Sequence, residues 1–135
     1  MKHLIERRSH VLSISSSASD HLVVRRLVGD GGTVLEASSC AEAVQWLGRV
    51  RFAAVICDDI LPDGGWRDVL SEAARIDTPP PVIVTSRLAD ERLWAAVLDS
   101  GGFDVLAKPL DAAEFQRGIA ALNALPVKAA VQHAA

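Results

Sequence analysis

Apolar and polar positions alternate along this chain in blocks whose period changes from element to element. Val11-Leu12-Ser13-Ile14 is a short β-rich run, interrupted by Ser15, Ser16 and Ser17. In the helical stretch that follows, Leu22, Val23, Leu27 and Val28 make an apolar stripe, and Gly29, Gly31 and Gly32 end it. Thr33-Val34-Leu35-Glu36 reads as a second strand. Ser39 with Glu42 spells a capping box, opening a helix whose Val44 and Leu47 are expected to face inward. Phe52-Ala53-Ala54-Val55-Ile56-Cys57 is continuously apolar, as in a strand buried on both faces. It stops at Asp58-Asp59, and Pro62-Asp63-Gly64-Gly65 makes a loop. Val69, Leu70 and Ala73 form the next helical stripe. Pro79, Pro80 and Pro81 lead into Val82-Ile83-Val84-Thr85, and Asp90 and Glu91 begin a helix with Leu93, Ala96 and Val97 inside. Gly101-Gly102 closes that helix. Asp104-Val105-Leu106-Ala107 is a fifth strand, and Asp111 with Glu114 caps a last helix striped by Phe115, Ile119 and Leu122.

Strict strand–helix alternation predicts an α/β fold, a five-stranded parallel sheet covered on both faces. Sites in such sheets form at the carboxyl ends of strands, near the switch in strand order. The residues to inspect are therefore Ser15-Ser16, Asp58, Thr85 and Lys108. One domain is expected over residues 10–124. The tail at 125–135 has no clear amphipathic pattern.

Composition narrows the function classes. The chain has 135 residues, of which 50% are hydrophobic and 23% charged, enough for a core without staples. Its net charge of -3 argues against a nucleic-acid footprint, which needs a basic excess. Cys40 and Cys57 form no CxxC pair, so neither a thiol-redox nor a zinc site is expected. No apolar run is long enough to span a bilayer, and no signal-peptide core follows the N-terminus, so a soluble cytoplasmic protein with no membrane partner is expected.

The strand-end residues resemble those of the receiver domain of bacterial two-component response regulators, over about residues 10–124. Asp58, followed by Ile60-Leu61-Pro62 and Gly64-Gly65, resembles the phospho-accepting Asp and its loop. Val82-Ile83-Val84-Thr85-Ser86 resembles the strand ending in the phosphate-sensing hydroxyl. Gly101-Gly102-Phe103-Asp104 resembles the turn into the fifth strand, and Lys108-Pro109 resembles the strand-ending lysine before a cis proline. The resemblance implies a flavodoxin-like doubly wound (βα)5 sandwich of order 2-1-3-4-5. It implies a pocket of Ser15, Ser16, Thr85, Ser86 and Lys108 around the phosphoacceptor Asp58, with Thr85 and the residue aligned at Val105 as the switch. Asp58 would be the nucleophile, with Lys108 and Mg²⁺ balancing charge on the phosphoryl oxygens.

Two departures stand out. Where the family has two adjacent metal-binding acids, this chain has Ser15 and Ser16. Mg²⁺ prefers carboxylate and water oxygens, so it should bind weakly if at all, leaving Asp58 as the only well-placed carboxylate. Asp59 is expected to point away from Asp58 by strand alternation. The family's switch aromatic aligns with Val105, which is stiff at χ1 and has no ring to reorient. A direct Lys108–Asp58 contact, independent of metal, is expected to hold the domain in one state.

The leading expectation is thus a non-enzymatic signalling module with an atypical pocket and no cofactor. It would bind a protein partner, a histidine kinase or a downstream regulator, through its fourth helix, fifth strand and fifth helix. The alternatives are a working phosphoreceiver modified on Asp58 and, third, a small-molecule binder on a flavodoxin-like fold. Arg87 reads as a surface arginine or as a partner of Asp58 or an anion. Cys57 reads as core, Ser17 as a helix cap, and His3, His10, His21 and His133 as surface residues. Trp94, with Leu98, reads as a partly exposed contact or as simple edge packing.

Overall fold

The computed structural model describes residues 9–124. Its elements are β1 (His10–Ile14), α1 (Ala18–Val28), β2 (Thr33–Ala37), α2 (Cys40–Leu47), β3 (Ala54–Asp58), α3 (Trp66–Ala73), β4 (Val82–Ser86), α4 (Glu91–Asp99), β5 (Asp104–Ala107) and α5 (Ala112–Asn123). The five strands form one parallel sheet in the order β2–β1–β3–β4–β5, the doubly wound order expected. A two-residue ladder, Ile60–Leu61 against Gly64–Gly65, shapes the loop after Asp58. The tail at 125–135, His3 and His133 lie outside the described residues.

Two apolar layers cover the sheet, and strand alternation decides which residue serves which. Leu12, Ile14, Val55, Cys57, Val82 and Val84 pack with Ala43, Leu47, Val69, Leu70 and Val97 beneath α2, α3 and α4. Val11, Ala54, Ile56, Ile83 and Leu106 pack with Val24, Phe115 and Leu122 beneath α1 and α5. Because side chains alternate with period two, Ser13, Ser15, Asp58, Thr85 and Lys108 follow the second set. Asp59, Ser86 and Val105 follow the first, and Val105 packs partly buried against that core.

Side chains fix the helix starts. Ser17 accepts from the Asp20 N–H, Asp90 from Leu93 and Asp111 from Glu114. At α2, Ser39 Oγ accepts from the Glu42 N–H at 3.1 Å. The return half of the expected capping box is missing, because the Glu42 carboxylate accepts from Ser38 N and Oγ instead. Asp63, from the loop after Asp58, fills in: its two oxygens accept from Cys40 N at 2.7 Å and Ala41 N at 3.0 Å. Those two N–H bonds hold the exposed Asp63 carboxyl below its ordinary range.

Three expectations about helix faces fail by one step of helical phase. Leu22 is 57% exposed and Val44 is 40% exposed. The buried faces are His21 and Val24 on α1, and Cys40, Ala43 and Leu47 on α2. His21, expected at the surface, is buried because Ser13 supplies it a hydrogen bond at 2.8 Å to Nδ1. That bond offsets the cost of enclosing a polar ring.

Candidate functional site

The carboxyl ends of β1, β3, β4 and β5 converge beside the start of α1. Asp58, the last residue of β3, is 8% exposed. The Lys108 ammonium lies 2.5 Å from Asp58 Oδ1, so the expected direct contact is present. The Lys108–Pro109 peptide is cis, as the resemblance implied. Thr85 Oγ1 donates to the same oxygen of Asp58 at 3.4 Å. Ser15 Oγ is within hydrogen-bond reach of Asp58 Oδ2 at 3.1 Å.

The structure adds a residue that the strand-end reasoning missed. Asp20, in the first turn of α1, reaches back over the helix start. Its Oδ2 accepts from Lys108 Nζ at 2.9 Å and from Ser15 Oγ at 2.9 Å. Lys108 therefore bridges two carboxylates, one from the sheet and one from a helix, and Asp58 is not the pocket's only acid. A signal for Asp20 existed. Helical side chains lean toward the N-terminus, and the α1 N-terminus sits at the carboxyl edge of a parallel sheet.

The network shifts two titrations. Burial works against the charged form of Asp20. The hydrogen bonds from Lys108 and Ser15, with the charges of Lys108 and Arg87, outweigh it and hold the carboxyl below its ordinary value. Burial likewise works against the charged Lys108, but Asp58 and Asp20 outweigh it and hold the ammonium above its ordinary value.

Other predicted pocket residues stand apart from this cluster. Ser16 is exposed. Ser86, expected in the pocket, faces the opposite side of the sheet, where its Oγ donates to Asp59 Oδ2 at 2.7 Å. The period of the strand that brings Thr85 to Asp58 takes its neighbour Ser86 away. Asp59 points away from Asp58, as expected. Arg87 is an exposed rim residue whose charge faces Asp20 and which makes no ion pair to Asp58. Cys57 is fully buried, and desolvation first, then Cys40, Asp58 and Asp59, pushes its thiol up. The Cys40 thiol is pushed up to about 11, by desolvation first and then by Asp63 and Asp68. Neither thiol has the lowered pKa of a nucleophile. Among the described residues no helix is long and apolar enough to cross a membrane.

Comparison with known proteins agrees with this fold. The sequence profile of the response regulator receiver domain matches residues 16–120. A signal receiver domain from Vibrio parahaemolyticus is similar at 25% identity and TM-score 0.80, over 93% of this chain and 95% of that one. A response regulator receiver domain protein from Clostridium thermocellum is similar at 25% identity and TM-score 0.75, over 84% and 93%. The receiver domain of an HD domain-containing protein from Pseudomonas fluorescens shares the fold at 21% identity and TM-score 0.74, over 95% and 98%. A search of curated proteins finds no match.

Proposed function

This chain belongs to the response regulator receiver family of two-component signalling, and from that premise we propose that its pocket is neutralised from within and signals without metal or phosphoryl transfer. One observation carries the reading. Lys108 Nζ sits between Asp58 Oδ1 at 2.5 Å and Asp20 Oδ2 at 2.9 Å, so the site already holds a cation. Asp58 Oδ2 faces the Ser15 hydroxyl.

Mg²⁺ in such a pocket would neutralise charge on the phosphoryl oxygens during transfer. The donor set here fits it poorly. Two carboxylates remain, both tied to the ammonium, and the residues replacing the metal-binding acids are neutral. Ser15 uses its hydroxyl proton on those same carboxylates. A hard divalent cation would have to displace Lys108 to gain carboxylate ligands. Asp58 is thus held in one environment, and the domain in one conformation.

Such a domain has no catalysis of its own and works by binding a protein, a histidine kinase or a downstream regulator. The surface we assign to it is the α4–β5–α5 side, where Trp94 is 50% exposed. The rival reading, a working phosphoreceiver, draws on the proximity of Thr85 and Lys108 to Asp58. Mg²⁺ with acetyl phosphate, followed by intact-mass measurement, separates the two. The expected result is an unmodified chain, with modification appearing in the Ser15→Asp/Ser16→Asp double variant. Stoichiometric phosphorylation of the wild-type chain would overturn the proposal.

A further inference from the structure

The pocket of Ser15, Asp20, Thr85 and Lys108 beside Asp58 continues into a cavity of about 400 Å³ whose lining reaches beyond the phosphorylation site to Val23, Val24, Ile56, Arg87 and Leu110. Ser13 and Ser15, two small side chains on the α1 side of β1, both line it. Its volume falls in the range of small-molecule sites. Its lining includes the apolar Val23, Val24, Ile56 and Leu110. It also includes the charged Asp20, Arg87 and Lys108.

The bonding capacity left on those three charged side chains is specific. An ammonium has three donors, and Lys108 spends two on Asp58 and Asp20. Both bonds to Asp20 fall on Oδ2, so Oδ1 is left to accept. Among the described residues, Arg87 makes no side-chain hydrogen bond or ion pair, so its planar fork is available for a carboxylate. Asp20 and Asp58 balance Lys108 and Arg87. A ligand of net charge would upset that balance, whereas one carrying separated opposite charges would match it.

We propose that this cavity binds a zwitterionic amino acid with an apolar side chain. Its carboxylate meets Arg87 and the free N–H of Lys108, its ammonium meets Asp20 Oδ1, and its side chain lies on Val24, Ile56 and Leu110. Such a ligand rests against the ammonium that holds Asp58, which gives the domain a chemical input other than a phosphoryl group. The inference does not depend on whether Asp58 can be phosphorylated, and the two ideas fail separately.

Titration of the full chain with L-leucine and L-phenylalanine, followed by backbone amide NMR, tests it. At least one amino acid should give saturable shifts at Val23, Val24 and Leu110, with a Kd on the order of 0.1–1 mM for so small a ligand. Isovalerate and isoamylamine, each carrying half of the charge pattern, should bind at least about tenfold more weakly. Arg87→Ala, a rim substitution that spares the core, should weaken binding by a similar factor. Ser13→Leu, which fills the cavity, should abolish it where the spectrum shows a folded chain. The proposal is overturned by an absence of saturable shifts up to about 50 mM of both amino acids, far above that Kd. Isovalerate binding as tightly as leucine, or an Arg87→Ala variant binding unchanged, would also overturn it.

Discussion

Lys108 sets the charge balance of the site. Its side chain is 14% exposed, and it faces two carboxylates that no other cation among the described residues contacts directly. Removing it leaves Asp58 enclosed without a counter-ion, the situation in which a broken pair costs most. Lys108→Met should therefore destabilise the fold by about 2–3 kcal/mol in urea, less than for a fully buried pair because Asp20 is partly solvated. Adding Asp58→Asn should recover part of that loss, and a strictly additive double variant would mean that the two residues are not coupled. The pH dependence has a defined sign. Asp20 is held below its ordinary 3.8, so its contribution is whole above that value and vanishes as pH falls through the lowered one. Lys108 is held above its ordinary 10.5, so its contribution is whole below that value and vanishes as pH rises through the raised one. The stability difference between wild type and Asp20→Asn should stay flat from about pH 5 to 9 and close in acid. Asp58, Thr85 and Lys108 were legible in the sequence because each ends an apolar run. Asp20 was not, because an acid in a first helical turn reads as a dipole partner, and only the docking of α1 on the sheet turns it into a ligand for Lys108.

The helices show where periodicity stops being informative. Strand faces follow from a period of two, which puts residues 11, 13 and 15 on one side however the boundaries are drawn. A helix turns about 100° per residue, so one misjudged polar residue rotates the whole face. His21 was that residue on α1: reading it as solvated placed Leu22 inward, whereas Ser13 makes its burial tolerable. On α2 the small residues Cys40 and Ala43 take the inner face and leave Val44 outside. The α2 start also depends on a side chain 23 positions away, Asp63 to Cys40 N, a partnership no local pattern records. Asp63→Ala, which removes a helix cap, should lower the urea midpoint and loosen amide exchange at Cys40 and Ala41. On α5, Gly118 is buried, yet a Cβ there would sit 3.8 Å from Ile83 Cδ1, an ordinary contact. Gly118→Ala should thus raise stability by about 0.5–1 kcal/mol, read as a higher urea midpoint. A lower midpoint would show that α5 cannot accept the methyl group.

At the scale of the whole molecule, an internally supplied cation changes what the domain can respond to. A ligand that binds only the folded state stabilises it by RT ln(1 + [L]/Kd), which gives about 2.7 kcal/mol at a hundredfold excess over Kd. A receiver that holds Mg²⁺ tightly would therefore gain a visible rise in melting temperature at millimolar metal. Here the ammonium occupies the carboxylates, so Mg²⁺ must either displace Lys108 or bind outside the cluster. The melting temperature should be flat up to about 10 mM Mg²⁺, within the shift expected when Kd exceeds that concentration, about 0.4 kcal/mol or less. The Ser15→Asp/Ser16→Asp variant should show the opposite behaviour. Two added carboxylates beside Asp58 and Asp20 raise mutual repulsion, so its melting temperature without metal should fall and Mg²⁺ should restore it. A wild-type chain that gains several degrees from Mg²⁺, with no gain from Ca²⁺, would mean that a small octahedral cation can displace Lys108. The proposed ammonium-held conformation would then become metal-dependent, and the proposed partner surface on α4, β5 and α5 would be open to control from the pocket.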